Sequence, residues 1–439
     1  MNDGSLSPTT PELVGDPHEP SSKPRARRRK MRILILTQFF PPEIGAAQRR
    51  LWEIARRLAD LGDEVEILTG LPNYPAGVVP PPYRGRVFVR EMRDGIRVNR
   101  TWLIPASNRG AAKRIVNHAS FALSAILAAT VCARPDVLLV ESPPLLVAIA
   151  GWLVSRLKRV PLLLSVSDLF TESAVALEII RNPMLTSISS RLEGFVYRRA
   201  AGIVALTEGV RTGILRSGAA EAKVRVIHGC ADAGRFGSAD GSEWRSRHGL
   251  GDAFIALYAG TFASSQSLST LVEAGQFLQS HLNIRIVLVG DGGKRVELER
   301  SAAGSKSVLV VPSVTSDEMP SVLAAANICL VPIRSIRFLS GMIPGKMFEA
   351  MAAGKAVVLA APPGEASHII EAGKCGVVVP PESPQLLAQA IERLASDPAA
   401  LRVFGMAGRR LAEGEFSCET MVQRIRSLVH EYEVAEPLK

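Results

Sequence analysis

The sequence predicts an α/β protein with two doubly wound, Rossmann-like domains that face a central cleft. The chain has 439 residues, more than one hydrophobic core ordinarily holds, so two domains are expected. Short apolar runs alternate with segments of helical periodicity, which is the pattern of repeated β–α–β units. The alternation pauses once, in a segment at 223–252 rich in Gly, Asp and charge, which we interpret as a linker.

The first series of alternating segments begins at residue 31. An aliphatic run at 31–40 is the first strand, a helix with a Gly stop follows at 49–62, and 63–70 is the next strand. This order is one β–α–β unit and implies parallel strands. Three further apolar runs continue the series, at 135–142, 160–168 and 200–208.

A second series follows the linker. Strands are predicted at 253–260, 284–292, 308–314, 328–333, 356–361 and 375–381. Helices are predicted at 268–280, 293–303, 316–326, 366–373 and around 345–352, and an amphipathic helix ends the chain at 418–436. We therefore expect one domain at 31–235 and a second at 236–412.

The net charge of +10 is concentrated in two places. Residues 1–32 carry +3 and residues 81–120 carry +7. Aromatic residues are only 5% of the chain and do not interleave with the basic ones, so base stacking and a nucleic-acid partner are disfavoured. Anionic lipid headgroups or a phosphorylated substrate suit this charge distribution better.

Residues 1–30 are rich in Pro and Ser and end in a basic run, which predicts a disordered basic tail. Two apolar stretches, 119–133 and 142–155, are shorter than the roughly 20 residues of a membrane-spanning helix. We expect them to be core helices or, alternatively, a surface that dips into one leaflet. Basic residues precede the first stretch, at Arg109, Lys113 and Arg114.

The cysteines predict a reduced, cytosolic protein. The five are far apart and form no C-x-x-C pair or His/Cys ligand spacing, which disfavours a structural metal and a disulfide framework. They are Cys132, Cys230, Cys329, Cys375 and Cys418.

Small and polar residues follow the predicted strands of the second domain, where open α/β sheets bind ligands. Glycines there let a ligand approach the main chain closely. The residues are Gly260 and Thr261, Gly290 and Asp291, and Ser313. We expect them to line a ligand-binding site at which helix N-termini can bind phosphate.

The segment "IPGKMFEAMAAGKAVV" at 343–358 predicts a short helix with a cation in its first turn. The helix dipole favours anions at that end, so Lys346 indicates that an external anion binds there. Glu349 lies three residues on and shares a face with Lys346. A simple surface ion pair between the two is the alternative.

Together these segments resemble the GT-B retaining glycosyltransferases of family four. The likeness covers roughly 31–430 and rests on "TQFFPPEIGAAQRRLWEIARRL", "CADAGRF", "LYAGTF", "VLVGDGG" and the long run from "PGKMFEAMAAGKAVVLAAPPGEAS" to "LLAQAI". The combination of "FFPPEIGA" and "DLFTES" is similar to a bacterial branch that builds surface polysaccharides and O-antigens, including N-acetyl-L-fucosamine transferases.

The resemblance implies roles for particular residues. The strand-end residues named above, from Gly260 to Ser313, would line the nucleotide-sugar donor site. Gly45 and Ala46 would lie near the donor phosphates or the reacting sugar. Glu349 would bind the donor ribose, and Lys346 would neutralise the leaving diphosphate without a metal ion or cofactor. Asp168 would lie near the transferred sugar, although an N-cap of the next helix is an equally good interpretation.

Two departures from the family pattern stand out. The first glutamate of E-x7-E is replaced by Gly341, and Glu365 is the candidate to supply the missing carboxylate. The basic residue expected after "AGT" is absent, because that loop offers only Gln266. Arg334 or Arg337 is the candidate replacement.

The resemblance implies a metal-independent hexosyltransferase-type enzyme. It would move a sugar, most simply from a UDP-linked donor, to a polyprenyl-diphosphate-linked or other glycan acceptor. The enzyme would be cytoplasmic and peripherally bound to an anionic membrane at the inner face of the plasma membrane. A UDP-sugar 2-epimerase of the same fold and a non-catalytic basic binding protein are the alternatives. In such folds the first domain, here 31–235, would bind the acceptor and the second, here 236–412, the nucleotide sugar. The last helix, here 413–439, crosses back to the first domain.

Overall fold

Two parallel sheets, one from each half of the chain, carry the fold. The computed structural model describes residues 29–74, 76–106, 111–176, 180–280, 283–336, 339 and 341–432. Residues 1–28 of the predicted tail lie outside this part, as do Arg109 and Arg337. The chain divides into residues 1–30 and a unit of residues 31–439, which holds both sheets.

Strands and helices alternate along the described chain. The first sheet contains β1 (Arg32–Leu36), β2 (Glu64–Gly70), β3 (Phe88–Arg93), β4 (Ile96–Thr101), β5 (Val137–Ser142), β6 (Leu162–Val166), β7 (Gly202–Ala205) and β8 (Val224–Val226). The second contains β9 (Phe254–Ala259), β10 (Ile284–Val289), β11 (Val308–Val311), β12 (Ile328–Pro332), β13 (Ala356–Ala360) and β14 (Gly376–Val379).

Helices connect the strands in both halves. Those up to the linker are α1 (Ala46–Asp60), α2 (Ala111–Ala129), α3 (Leu145–Lys158), α4 (Phe170–Ala176), α5 (Pro183–Arg199) and α6 (Glu208–Arg216). The others are α7 (Ala233–Gly237), α8 (Ser242–Arg247), α9 (Leu268–Phe277), α10 (Arg295–Ala302), α11 (Met319–Ala325), α12 (Gly345–Ala352), α13 (Glu365–Ala372), α14 (Pro384–Ala395), α15 (Pro398–Glu413) and α16 (Cys418–Glu431).

Both sheets have the strand order of doubly wound folds. The first runs β3-β4-β2-β1-β5-β6-β7-β8, and the second runs β11-β10-β9-β12-β13-β14. All neighbouring strands are parallel except β3 and β4, which are antiparallel. The predicted fold class is confirmed. In each sheet the order reverses at one central strand, β1 or β9, and such switch points are where these folds bind ligands.

Helices cover both faces of the first sheet. Side chains alternate between the faces along a strand, so Leu34 and Leu36 of β1 pack toward α2, α3, α5 and α6. Ile33 and Ile35 pack toward α1 and α16 on the opposite face. The second sheet is covered in the same way, by α9, α10 and α14 on one side and by α7, α8, α11, α12, α13 and α15 on the other.

The last helix packs on the first domain. Met421, Val422 and Ile425 of α16 are buried in the same cluster as α1. Arg426 adds an ion pair to Asp63, with 2.7 Å between Nε and Oδ2. The division of the chain at residues 235 and 236 stays a prediction.

The two chain segments that connect the domains lie side by side. The Ala231 amide donates to the Phe416 carbonyl at 3.3 Å, and Cys230 forms a disulfide with Cys418. The prediction of reduced cysteines is therefore wrong for this pair. The two cysteines are 188 residues apart, and only the return of α16 to the first domain brings them together.

Two segments are more structured than the sequence predicts. The basic segment 81–120 contains the hairpin of β3 and β4, which turns at Asp94 and Gly95, both with positive φ. Arg100 is fully buried there and pairs with Glu91 at 2.8 Å, so the +7 charge is not one exposed patch. The predicted linker holds β8, α7 and α8, and the buried Trp244 of α8 joins the core of the second domain.

The two long apolar stretches form most of α2 and α3. Phe121, Ala125 and Val154 are buried against the first sheet, as expected of core helices. No helix in the described part of the chain is both long and apolar enough to cross a membrane.

Candidate active site

The loops that follow the carboxyl ends of the two sheets meet each other. Helix α1 follows β1 and α12 follows β12, and the Arg49 Nη1 of α1 lies 2.6 Å from the Glu349 Oε1 of α12. Thr207, which follows β7 and caps α6, donates its hydroxyl hydrogen to the Gly341 carbonyl at 2.7 Å. A ligand between these loops would therefore contact both domains.

Lys346 is held by neutral groups. Its Nζ donates to the Tyr258 hydroxyl at 2.8 Å and to the Gln266 Oε1 at 3.0 Å. The ammonium also lies 3.9 Å from the centre of the Tyr258 ring. No ion pair among the described residues involves Lys346. An ammonium without an ion-paired carboxylate, in the first turn of a helix, is suited to binding an external anion.

Burial lowers the pKa of Lys346 from 10.5 to about 7, and the nearby Glu349 carboxylate only partly offsets this effect. Desolvation penalises the charged ammonium, so the group loses its proton near neutral pH when no anion is present. A bound diphosphate would favour the ammonium and raise this pKa again.

Glycines allow the loops after β9 and β10 to lie close to Lys346 and to each other. Gly260 has a φ of 150°, and a Cβ atom there would lie 3.0 Å from the Lys346 Nζ. A Cβ atom on Gly290 would lie 1.9 Å from the Gly260 carbonyl oxygen. The carbonyl of the exposed Thr261 accepts the Tyr258 hydroxyl at 2.7 Å, which orients the ring below Lys346.

The N-termini of two helices lie next to each other. A Cβ atom on Gly345, the first residue of α12, would lie 3.9 Å from the Cβ of Ala46, the first residue of α1. Gly45 immediately precedes α1. Because each N-terminus carries unpaired amides and positive dipole charge, this pair of helices suits a diphosphate.

Glu349 is part of a charged group that the sequence analysis did not identify. Arg49 pairs with it, and both side chains are one-quarter to one-third exposed. Arg235 of α7 belongs to the same group. Its pKa is lowered, first by burial and then by the Arg49 guanidinium, and the Glu349 carboxylate partly offsets this effect. In the sequence, Arg49 follows Ala46 by about one helical turn. This spacing could have identified Arg49 as a further site residue.

Gly341 replaces the first glutamate of the family pattern, and the space beside it is filled by the first domain. A Cβ atom on Gly341 would lie 3.2 Å from the Gly209 Cα, so α6 fills the space where a side chain would start. Glu365 reaches the same region, where its Oε2 accepts the Glu208 amide at 2.8 Å and its Oε1 lies 2.7 Å from the His228 Nε2. Its predicted role as the replacement carboxylate stays a prediction.

Asp291 and Ser313 lie farther along the edge of the sheet. Asp291 is exposed and pairs with Arg295 at 3.3 Å, and Ser313 is exposed after the edge strand β11. In the described part of the chain, no hydrogen bond connects either residue to Lys346 or Glu349. Arg334 pairs with Glu382 at 3.5 Å and its amide donates to the Ser265 carbonyl, so it lies beside the loop that holds Gln266.

Asp168 follows β6 in the first domain. Its Oδ2 accepts the Ser173 hydroxyl, and its Oδ1 is buried without a hydrogen-bond partner in the described structure. Burial raises its pKa to about 6. Glu193 instead accepts the first amides of α4, those of Phe170 and Thr171. Asp168 therefore does not accept these two amides, and both its capping interpretation and its role near the sugar stay predictions.

The first domain contains a polar cluster that the sequence analysis did not identify. The Gln38 Nε2 donates to the Asn117 Oδ1 at 2.6 Å, and its Oε1 lies 2.7 Å from the His118 Nδ1. Burial, with a further contribution from Arg114, lowers the pKa of His118 to about 4, so the imidazole is neutral at pH 7. Nearby, Glu43 accepts the Asn73 amide at 2.8 Å. No sequence motif connects these positions, which come from two strand ends and α2.

Comparisons with known proteins agree with this architecture. A model of the glycosyl transferase 4-like domain matches residues 45–230, and a model of the group 1 glycosyl transferases matches residues 253–397. The chain is 24% identical over 376 residues to the putative colanic acid biosynthesis glycosyl transferase WcaI of Escherichia coli K12, covering 83% of this chain and 92% of the relative.

Solved structures give the same fold. The Anabaena protein HepE in complex with UDP and glucose aligns with a TM-score of 0.69 at 19% identity, covering 91% of this chain and 99% of HepE. WaaG, a glycosyltransferase involved in lipopolysaccharide biosynthesis, aligns with a TM-score of 0.64 at 14% identity, covering 90% of this chain and 99% of WaaG.

Two doubly wound domains with facing strand ends define the GT-B class of glycosyltransferases. Within that class the chain belongs to the group 1 glycosyltransferases, the family with the 4-like N-terminal domain. The expected glycosyltransferase family is thereby confirmed, whereas the branch that includes the N-acetyl-L-fucosamine transferases stays a prediction. A glycosyltransferase is favoured over a non-catalytic binding protein.

The low pKa of Lys346 predicts an alkaline loss of activity. On the assignment of the Lys346 ammonium to diphosphate binding, log kcat/KM should fall above about pH 7, where the free enzyme loses this proton. Initial rates measured across pH at low donor concentration test this, together with thermal melting to show that the fold persists. Lys346→Gln has no ammonium and should show no such fall in its residual activity. A wild-type profile that stays flat to pH 9 would contradict the assignment.

Proposed function

We propose that this protein is a retaining glycosyltransferase that transfers a sugar from a UDP-linked donor to a lipid-linked glycan. The observation that carries the proposal is the arrangement of α12, which offers the Lys346 ammonium and an N-terminal dipole beside Gly260 while Glu349 faces the first domain. The proposed site lies between the two sheets, with the diphosphate at the N-termini of α1 and α12.

In the proposed reaction the bond between the anomeric carbon and the donor diphosphate breaks. The oxygen of an acceptor hydroxyl forms the new bond to that carbon, and its proton passes to the departing diphosphate. Negative charge grows on the diphosphate as the bond breaks. Lys346 and the two helix N-termini would stabilise this charge without a metal ion, and such preorganised groups are the largest single contribution in many enzymes.

Glu349 would accept hydrogen bonds from the hydroxyls of the donor ribose. Its carboxylate is partly exposed and is bonded to a flexible Arg49 side chain rather than to main-chain amides. A ribose can therefore replace Arg49 as the partner of Glu349 without unfolding the loop. UDP and glucose in the HepE complex are consistent with a uridine donor for this fold.

The proposed acceptor is a polyprenyl-diphosphate-linked glycan of surface polysaccharide or O-antigen biosynthesis. WcaI is named for colanic acid biosynthesis and WaaG for lipopolysaccharide biosynthesis, which supports a glycan acceptor of this kind. The similarity of "DLFTES" to the N-acetyl-L-fucosamine transferase branch supports an amino sugar as donor. We place the enzyme in the cytoplasm, at the inner face of the membrane.

Product analysis with purified protein tests the function. We expect UDP release and a lipid-linked product of retained anomeric configuration when a panel of UDP- and GDP-sugars is offered with lipid-linked acceptors. An incubation without acceptor distinguishes the 2-epimerase alternative, because an epimerase would convert the donor alone. Failure to bind UDP in calorimetry, with no product from any donor, would refute the proposal.

A further inference from the structure

An apolar stripe runs along the outer side of α2. Its residues are exposed and recur every four positions: Ile115, Ala119, Leu123 and Leu127, followed by Val131 just beyond the helix. Leu123 is 62% exposed and Leu127 is 64% exposed. The opposite side of α2 is buried in the core through Phe121 and Ala125. Residues at i and i+4 share one face of a helix, so the stripe is continuous.

Helices α3 and α5 extend this apolar surface. Helix α3 packs beside α2 and also beside α5, where Trp152 and Phe195 meet edge to face with 4.9 Å between ring centroids. On the outer side, α3 exposes Leu153 and Leu157. Helix α5 exposes Met184, Leu185, Ile188 and Leu192. All three helices cover the same face of the first sheet, so their outer sides form one surface, the α2–α3–α5 face.

The charges on the α2–α3–α5 face have one sign. The sequences of α2 and α3 contain no Asp or Glu, and the single acidic residue of α5, Glu193, is buried. Basic side chains are exposed on every helix, at Lys113, Arg156 and Arg191. No ion pair in the described part of the chain involves these three. The face therefore combines apolar side chains with a rim of cations that protein carboxylates do not neutralise.

We propose that the α2–α3–α5 face is the surface with which this enzyme docks on an anionic lipid bilayer. Apolar side chains inserted among acyl chains, with cations at the phosphate level, are the pattern of interfacial helices. A symmetric contact with a second copy of the chain would place two basic rims against each other, which like-charge repulsion opposes. The chemistry of the face therefore fits phospholipid headgroups better than its own copy.

The same helix links this surface to the proposed acceptor side of the site. Asn117, on the buried side of α2, and His118, on the flank of the exposed stripe, bond to Gln38 at the end of β1. A bilayer against α2 would bring lipid-linked molecules next to this polar cluster. This consequence rests on the proposed function, whereas docking itself does not.

Vesicle sedimentation with the full chain tests the docking surface. We expect binding to vesicles of phosphatidylglycerol and phosphatidylcholine, weaker binding at high salt, and little binding to phosphatidylcholine alone. The double variant Leu123→Glu/Leu127→Glu should lower the partition coefficient by about tenfold or more, because it removes apolar area and adds negative charge. The single variant Leu157→Glu, on α3, should lower it in the same direction.

A matched control lies on the other domain. Val403 and Met406 of α15 are each 54% exposed, and Val403→Glu/Met406→Glu makes the same chemical change away from the face. It should bind vesicles like the wild type. Circular dichroism and UDP calorimetry should be unchanged in all variants, so loss of docking is separable from failure of the proposed function.

Three results would overturn the proposal. One is absence of wild-type binding to anionic vesicles, and another is unaltered binding of the α2 double variant. The third is light scattering that shows a dimer which the α2 variant dissociates, since that would assign the face to a second copy of the chain.

Discussion

Replacing Lys346 by glutamine is expected to lower kcat/KM for sugar transfer by about 100- to 1,000-fold, the usual cost of removing one group that stabilises developing charge. Glutamine keeps a hydrogen-bond donor near Tyr258 and Gln266 but removes the positive charge. The loss should appear in kcat as well as KM, because the diphosphate is most negative when the bond to the sugar breaks.

Two controls separate this charge effect from general damage. Lys306→Gln removes one positive charge from an exposed position in the same domain, and its kcat/KM should match the wild type. Because burial disfavours the ammonium of Lys346, the Lys346→Gln protein should melt at the wild-type temperature or above it. Wild-type kcat/KM in Lys346→Gln would exclude the lysine from the chemistry.

Replacing Glu349 by alanine is expected to weaken UDP binding by about 10- to 100-fold, the equivalent of a lost hydrogen bond to a charged group. The carboxylate lies at the junction of the domains and is held by one side chain, Arg49, so a ribose can reach it. Titration calorimetry with UDP measures this effect without needing the acceptor.

The ion pair with Arg49 provides the comparison. Arg49→Gln breaks the same contact across the junction but leaves the carboxylate in place, so UDP affinity should change by less than the loss in Glu349→Ala. Glu371→Ala, at an exposed position of α13, should change nothing. If Arg49→Gln and Glu349→Ala lost affinity equally, Glu349 would act by holding the domains together and not by binding the ribose.

Periodicity predicted most of the fold. Apolar runs such as that of β1 pack on both faces of a sheet and remain visible in sequence, so the parallel strands other than β4 and β8 were placed within a few residues. The β3–β4 hairpin was missed because its alternating residues are largely arginine and glutamate, and Arg100 is buried through its pairing with Glu91. Because charged residues occupy strand positions, the apolar alternation of these strands is weak. The Asp94-Gly95 dipeptide, which is typical of hairpin turns, could have indicated the hairpin.

The candidate site was predictable where its residues are close in sequence. Lys346 and Glu349 lie on one helical turn, and glycines at strand ends indicate close approach whatever the ligand. The sequence contains no comparable pattern for contacts between distant segments of the chain. The pairing of Arg49 with Glu349, the Gln38–Asn117–His118 cluster and the Cys230–Cys418 disulfide all depend on how the two sheets and α16 come together in space.

A crystal structure of the protein with UDP is the most direct test of the central claim. We expect a diphosphate oxygen within about 3 Å of the Lys346 Nζ, the normal distance of a charge-assisted hydrogen bond, and the ribose hydroxyls on Glu349 with Arg49 displaced. A nucleotide bound elsewhere on the second domain, with Lys346 still bonded only to Tyr258 and Gln266, would contradict the account.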